Sequence, residues 1–163
     1  MNRRLLAALA LALPLAGLGA TWGTTHIRAQ QGTEWDVPIA GYDPRDLLRG
    51  HYVIYTYEWP GLEGQANDLR RAQTLCLEGS APDLVRAHLP ADEPCEHVIR
   101  ARGGWNDPEG GLGSGRLYVS QDRAATLQRQ LADPGLQGMV RIRLREDGRL
   151  TPLGIAFRPR SVE

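Results

Sequence analysis

The sequence predicts an α+β fold: a mainly antiparallel β-sheet of five to seven strands with one clear helix, behind an N-terminal transmembrane or signal helix. Three observations carry this expectation. Residues 5–20, LLAALALALPLAGLGA, are continuously apolar and follow Arg3 and Arg4, the basic flank that marks an export segment. Residues 51–59 and 139–145 alternate with the period of two expected of strands. Residues 121–132 set Ala124, Leu127, Gln128 and Leu131 along one side of a helix, and Ser120 stands before it as the cap.

The expected organisation is a membrane anchor or signal peptide at 1–23, a polar juxtamembrane link at 24–33, and an extracytoplasmic α+β domain at 34–160. Without the first segment roughly 130 residues remain, enough for one core without metal staples. Both candidate cleavage sites, 18–20 and 27–29, lack a small residue at their −3 position, where Leu18 and Ile27 stand. An uncleaved anchor reaching Trp22 is therefore expected, with that ring at headgroup level and Arg3 and Arg4 kept in the cytoplasm. The protein is expected in the inner membrane as a single-pass chain with its domain in the periplasm. Cleavage would instead leave a soluble periplasmic or secreted form. The first cysteine is Cys76, so no lipobox is present.

Along the domain, 34–42 reads as a strand with Trp35, Val37 and Ile39 on one face. Asp43 and Pro44 then start a helical turn: the carboxylate caps free N–H groups and proline loses no bond at the first position. Asp46 sits where a capping-box acid reaches back, and Gly50 suits the left-handed end of the turn. In 51–59, His51, Val53, Tyr55, Tyr57 and Trp59 face one way, and Tyr52, Ile54, Thr56 and Glu58 the other. Aromatics on both faces place this strand centrally. Residues 60–64 read as a loop, 65–71 as a weak helical turn, and 72–77 as a strand. Residues 83–89, bracketed by Pro82 and Pro90, read as a short helix, and 95–102 as another strand. With six glycines and one proline in 13 residues, 103–115 reads as an exposed loop, with Trp105 as a lid over the core or a contact residue. A strand at 116–119, the helix, and a hairpin of 139–145 and 150–157 about Asp147-Gly148 complete the domain. Arg141, Arg143 and Arg145 form a stripe that is either a solvated outer face or a contact for anionic headgroups or acidic glycans. No internal repeat is present.

The motif Gly50-His51-Tyr52-Val53-Ile54-Tyr55-Thr56-Tyr57, with its lead-in DPRDLLRG, resembles that of the GDYXXLXY protein family. Gly50, Tyr52 and Tyr57 match, while His51 replaces the acidic position and Tyr55 the leucine. RLYVSQDRAATLQRQL, at 116–131, is similar to a later segment of that family. The resemblance implies a membrane-anchored extracytoplasmic domain and carries over no catalytic residue.

Composition narrows the chemistry. All 19 basic residues are arginine, balanced by 19 acids. A neutral chain offers no electrostatic case for nucleic acid, and none is expected as a partner. Without lysine there is no Walker P-loop, no Schiff-base lysine and no Ser–Lys dyad. No cofactor is expected. Cys76 and Cys95, the only cysteines, are expected to be bridged outside the cytoplasm, closing a loop of about 20 residues worth ~3 kcal/mol. The alternative is a metal site among His88, Asp92, Glu93, Cys95 and His97, whose spacing fits no compact zinc motif. Ser80 or Ser114 could pair with His88 or His97, but no G-x-S-x-G elbow exists. Asp43, Asp46 and His51 form the one compact acid–base set. Asp43 and Asp46 are accounted for as caps, which leaves His51 as the open question; a catalytic role for this stretch would use Asp46 and His51. Three roles follow: an accessory or interaction module of the bacterial cell envelope, anchored in the inner membrane beside another envelope protein; an extracytoplasmic enzyme centred on Asp46 and His51; or a ligand-binding domain using the aromatic strand.

Overall fold

The fold was described from a computed structural model covering residues 3–41, 52–90, 95–104, 106–107 and 109–160. The chain divides into two units, 1–31 and 32–163. The first holds a single helix, α1 (Arg3–Gln30), of 28 residues with Pro14 inside it. α1 therefore runs through most of the stretch expected as a polar link. Thr21 and Thr24 return hydroxyl bonds to the carbonyls of Gly17 and Thr21, which satisfies their hydroxyls within the helix, and His26 stacks on Trp22 one turn before it at 5.3 Å. Its leucines at 11, 13, 15 and 18 are all exposed. Among the described residues no helix is long and apolar enough to cross a membrane.

The second unit is the expected α+β domain, with an eight-stranded sheet. Its strands are β1 (Thr33–Gly41), β2 (Tyr52–Tyr57), β3 (Thr74–Ser80), β4 (Asp83–His88), β5 (His97–Arg100), β6 (Ser114–Tyr118), β7 (Leu136–Leu144) and β8 (Leu150–Pro159). Helix α2 (Ala66–Arg71) lies between β2 and β3, and α3 (Gln121–Leu131) between β6 and β7. The sheet is antiparallel except where β1 meets β4 at Asp36 and Asp83.

β1 is the branch point. One edge pairs with β7 from Thr33↔Leu144 to Ile39↔Gly138. The other edge is divided: Asp36 N–H donates to Pro82 O at 2.8 Å beside β4, and Ile39–Gly41 pair with β2. From there one arm runs β4–β3–β5 and the other β2–β6. The sheet curls until the end of β5 meets the β7–β8 turn, where Arg100 N–H donates to Gly148 O at 2.8 Å. That turn is built on Arg145–Gly148, with Gly148 N–H on Arg145 O and Gly148 at φ +82°, rather than as the two-residue turn expected at Asp147-Gly148.

Inside the curl lie Trp35, Val37, Ile39, Tyr55, Leu75, Leu77, Ile99, Val140 and Ile142, each at most 1% exposed. The odd residues of β1 thus point inward and the even ones outward, as their alternation requires. α3 closes one side through Leu127 and Leu131. β2 lies between β1 and β6, the central placement its two-sided aromatics predict.

Three expectations are corrected. Residues 83–88 of the expected helix at 83–89 are a strand. A segment this short nucleates a helix poorly, and it gains a ladder with β3, in which Arg86 faces Glu78 and forms a two-point ion pair at 2.8 and 3.0 Å. The loop at 103–115 is not wholly exposed, because Leu112 is 1% exposed in the core and β6 begins at Ser114. Gly115 sits opposite Tyr55, and a Cβ there would stand 2.6 Å from the phenol ring, so this glycine is the space the aromatic occupies. The sheet, finally, has eight strands rather than the five to seven expected, because 83–88 joins it. The arginine stripe lies on the outer face of β7 as its alternation requires, and acids of β1 balance it. The β1–β7 register sets Glu34 opposite Arg143 and Asp36 opposite Arg141, and both pairs are bonded.

Candidate functional site

The alternation of β2 continues past its last paired residue. Tyr55, Tyr57 and Trp59 stay on the inner face, where Tyr57 meets Tyr55 edge-on at 5.3 Å and stacks on Trp59 at 5.0 Å. Trp59 is fixed by its indole N–H, which donates to Leu112 O at 2.6 Å. The chain then reverses through Pro60, with Leu62 N–H on Trp59 O, and enters α2, which contributes Leu69.

Between these elements opens a cleft of about 460 Å³. Pro38, Tyr57, Trp59, Leu62 and Leu69 form its apolar lining, and the exposed Glu58 and Glu63 its charged lining. Among the described residues no arginine or histidine lines it. Each carboxylate commits one oxygen locally: Glu58 Oε2 accepts from Gln137 Nε2 at 3.0 Å, and Glu63 Oε2 from Gly61 N–H at 2.9 Å. Neither is in an ion pair among the described residues, whereas Glu34, Asp36, Glu78, Glu109 and Asp147 all hold arginines.

Burial pushes Tyr57 up to about 12 and Tyr55 higher still, with the Tyr57 phenol adding to the latter. Both are neutral phenols at physiological pH, suited to packing rather than to accepting a proton. Tyr55 Oη and the Trp35 indole nitrogen are buried without a hydrogen-bond partner among the described residues. A second cavity, of about 30 Å³, lies on the other side of Tyr57 against Leu112, Ser114 and Leu150, with room for water but not for a larger ligand.

Of the residues expected to matter from the sequence, Tyr52 and Tyr57 bracket β2 and point to opposite faces. Tyr52 lies on the outer face under the Arg116 guanidinium, 4.7 Å from the ring centre, and edge-on to Tyr118. Asp43, Asp46, Gly50 and His51 lie outside the described residues, as do Asp92, Glu93 and Trp105. Cys76 and Cys95 stand at disulfide distance with Cα atoms 5.5 Å apart. His88 bonds Leu89 O and pairs with Glu78, and His97 meets Trp35 edge-on. Neither histidine is bonded to Ser80 or Ser114, and no three potential metal ligands gather among the described residues. Glu63, Leu62 and Leu69 were not singled out by the sequence. Only the Pro60-Gly61 reversal, which folds 62–69 back over the end of β2, hinted at them.

A curled, mainly antiparallel sheet with a cleft at the end of its motif strand defines a small α+β domain that follows an N-terminal helix. The chain belongs to the GDYXXLXY protein family, whose profile matches residues 14–155. No curated protein and no solved structure matches it.

Proposed function

We propose that this protein is a binding module of the bacterial cell envelope, tethered in the inner membrane with its sheet domain in the periplasm, acting as an accessory to another envelope protein. The cleft floored by Tyr57 and Trp59 carries the binding part of this reading. Its volume falls in the range of small-ligand sites, and it combines apolar walls with a few polar groups. The tether is supported by the apolar run at 5–20 behind Arg3 and Arg4, and by leucines of α1 that stay exposed with no core to cover them. The Cys76–Cys95 pair suits an oxidising compartment.

Intact-mass measurement on the washed membrane fraction tests the tether. The full chain is expected there, and a mature chain starting at Thr21 or Gln30 would overturn it. Affinity capture from solubilised membranes, with the Trp59→Ala variant as control, tests the binding role. An envelope protein retained by the wild type and lost by the variant is expected, and equal retention would move the contact away from the cleft.

A further inference from the structure

We propose that the cleft at the end of β2 takes a small organic cation: an ammonium or guanidinium head carried on an apolar body. The inference rests on the binding role proposed above and adds the charge of the ligand. Some acids in this domain are neutralised by arginine, Glu34 by Arg143 at 2.6 Å, Glu78 by Arg86 at 2.8 Å and Glu109 by Arg116 at 3.1 Å, while surface acids such as Asp68, Asp122 and Asp133 are in no ion pair among the described residues. Glu58 and Glu63 line the same cleft and hold no such partner among the described residues. Their Oε2 atoms accept from Gln137 and the Gly61 N–H, and among the described residues their Oε1 atoms accept no bond.

The remaining lining suits the other half of such a ligand. Pro38, Leu62 and Leu69 supply aliphatic surface, and Tyr57 and Trp59, stacked on each other, supply aromatic surface. An anion would meet two carboxylates and, among the described lining residues, no arginine. A neutral apolar molecule would leave the two carboxylates without a counter-charge, which is the state of the empty cleft. A cation with an apolar body is the one class that uses every wall.

Titration of the full-length chain in detergent with 2-phenylethylammonium, followed by the indole N–H resonances, tests this directly. The Trp59 resonance reports on the cleft because its N–H is held on Leu112 O. Saturable movement of that signal is expected, about tenfold weaker in the Glu58→Gln, Glu63→Gln double variant, in which both side chains keep their size. The neutral analogue 2-phenylethanol is the second arm. If it binds as tightly as the ammonium, or if the double variant binds the ammonium unchanged, the cation preference is refuted while the cleft stands as a binding site. If neither compound moves Trp59, both this inference and the small-ligand reading fall together. Circular dichroism of the double variant separates loss of binding from loss of fold, and Glu58→Gln alone, unfolded or not, is replaced by Glu63→Gln, whose carboxylate touches only its own turn.

Discussion

Replacing Asp36 with asparagine isolates the electrostatic joint that holds the branch strand to the C-terminal hairpin. Asp36 is 6% exposed, and its carboxylate takes a two-point contact from Arg141 at 2.8 and 3.0 Å and a third bond from Arg158 at 2.9 Å. Asparagine keeps the size but offers one acceptor oxygen and turns an NH₂ toward guanidinium donors. Bonds to charged groups contribute about 1.5–3 kcal/mol each when well shielded. Here both guanidinium groups remain about half exposed and regain water, so the three together are worth about 2–3 kcal/mol rather than their sum. Urea unfolding near neutral pH should show that loss as a midpoint lower by about 1–2 M. The pH dependence has a definite sign. The hydrogen bond from Arg141 leads the effects that hold the Asp36 carboxyl below its ordinary value of 3.8, outweighing the opposing effect of burial. Its contribution is complete above that value and is lost as pH falls through the lower folded-state pKa. The gap between wild type and Asp36→Asn should therefore be constant from neutrality down to the carboxylate range and close below it. A gap under about 0.5 kcal/mol at neutral pH, or one undiminished once the carboxyl is protonated, would refute the account.

Gly115→Ala places a methyl group against the Tyr55 ring and should cost about 1–3 kcal/mol by thermal unfolding, with most of the loss recovered in Gly115→Ala, Tyr55→Leu; a stable single variant would mean that Tyr55 can leave its site. Thiol labelling of the unreduced, denatured chain should find neither Cys76 nor Cys95 free, and two labelled cysteines would reopen the metal alternative.

How far the sequence reached can be judged from particular residues. Alternation alone sets Trp35, Val37 and Ile39 on one common face, and Val53, Tyr55 and Tyr57 on another; that these faces are the inner ones comes from the structure, where one slip in register would turn every one of them to solvent. The 83–89 segment was misread because its partner strand is distant in neither sequence nor space but is visible only as a pairing. Glu78 opposite Arg86 is a signal that appears once the two are set side by side. The arginine stripe follows from alternation, but its partners do not, since Glu34 and Asp36 lie about a hundred residues before the arginines that they neutralise. The cleft was half legible. Tyr57 and Trp59 follow from the strand pattern, whereas Leu62, Glu63 and Leu69 join them only through the reversal at Pro60, and no periodicity connects a strand to what folds over its end.

The divided edge of β1 also bears on how the chain can be made. Residues 33–41 leave the ribosome early, yet the strand that pairs with Thr33–Ile39 along their second edge is β7, at 136–144, and β7 is itself backed by β8. Until about a hundred further residues have been synthesised, Trp35, Val37 and Ile39 lack their longest neighbour. Pairings that span so much chain form late and leave an open strand edge in the meantime. A stop codon just before β7 would thus do more than shorten the domain. It would remove the last piece to arrive and the one that locks the first strand in place.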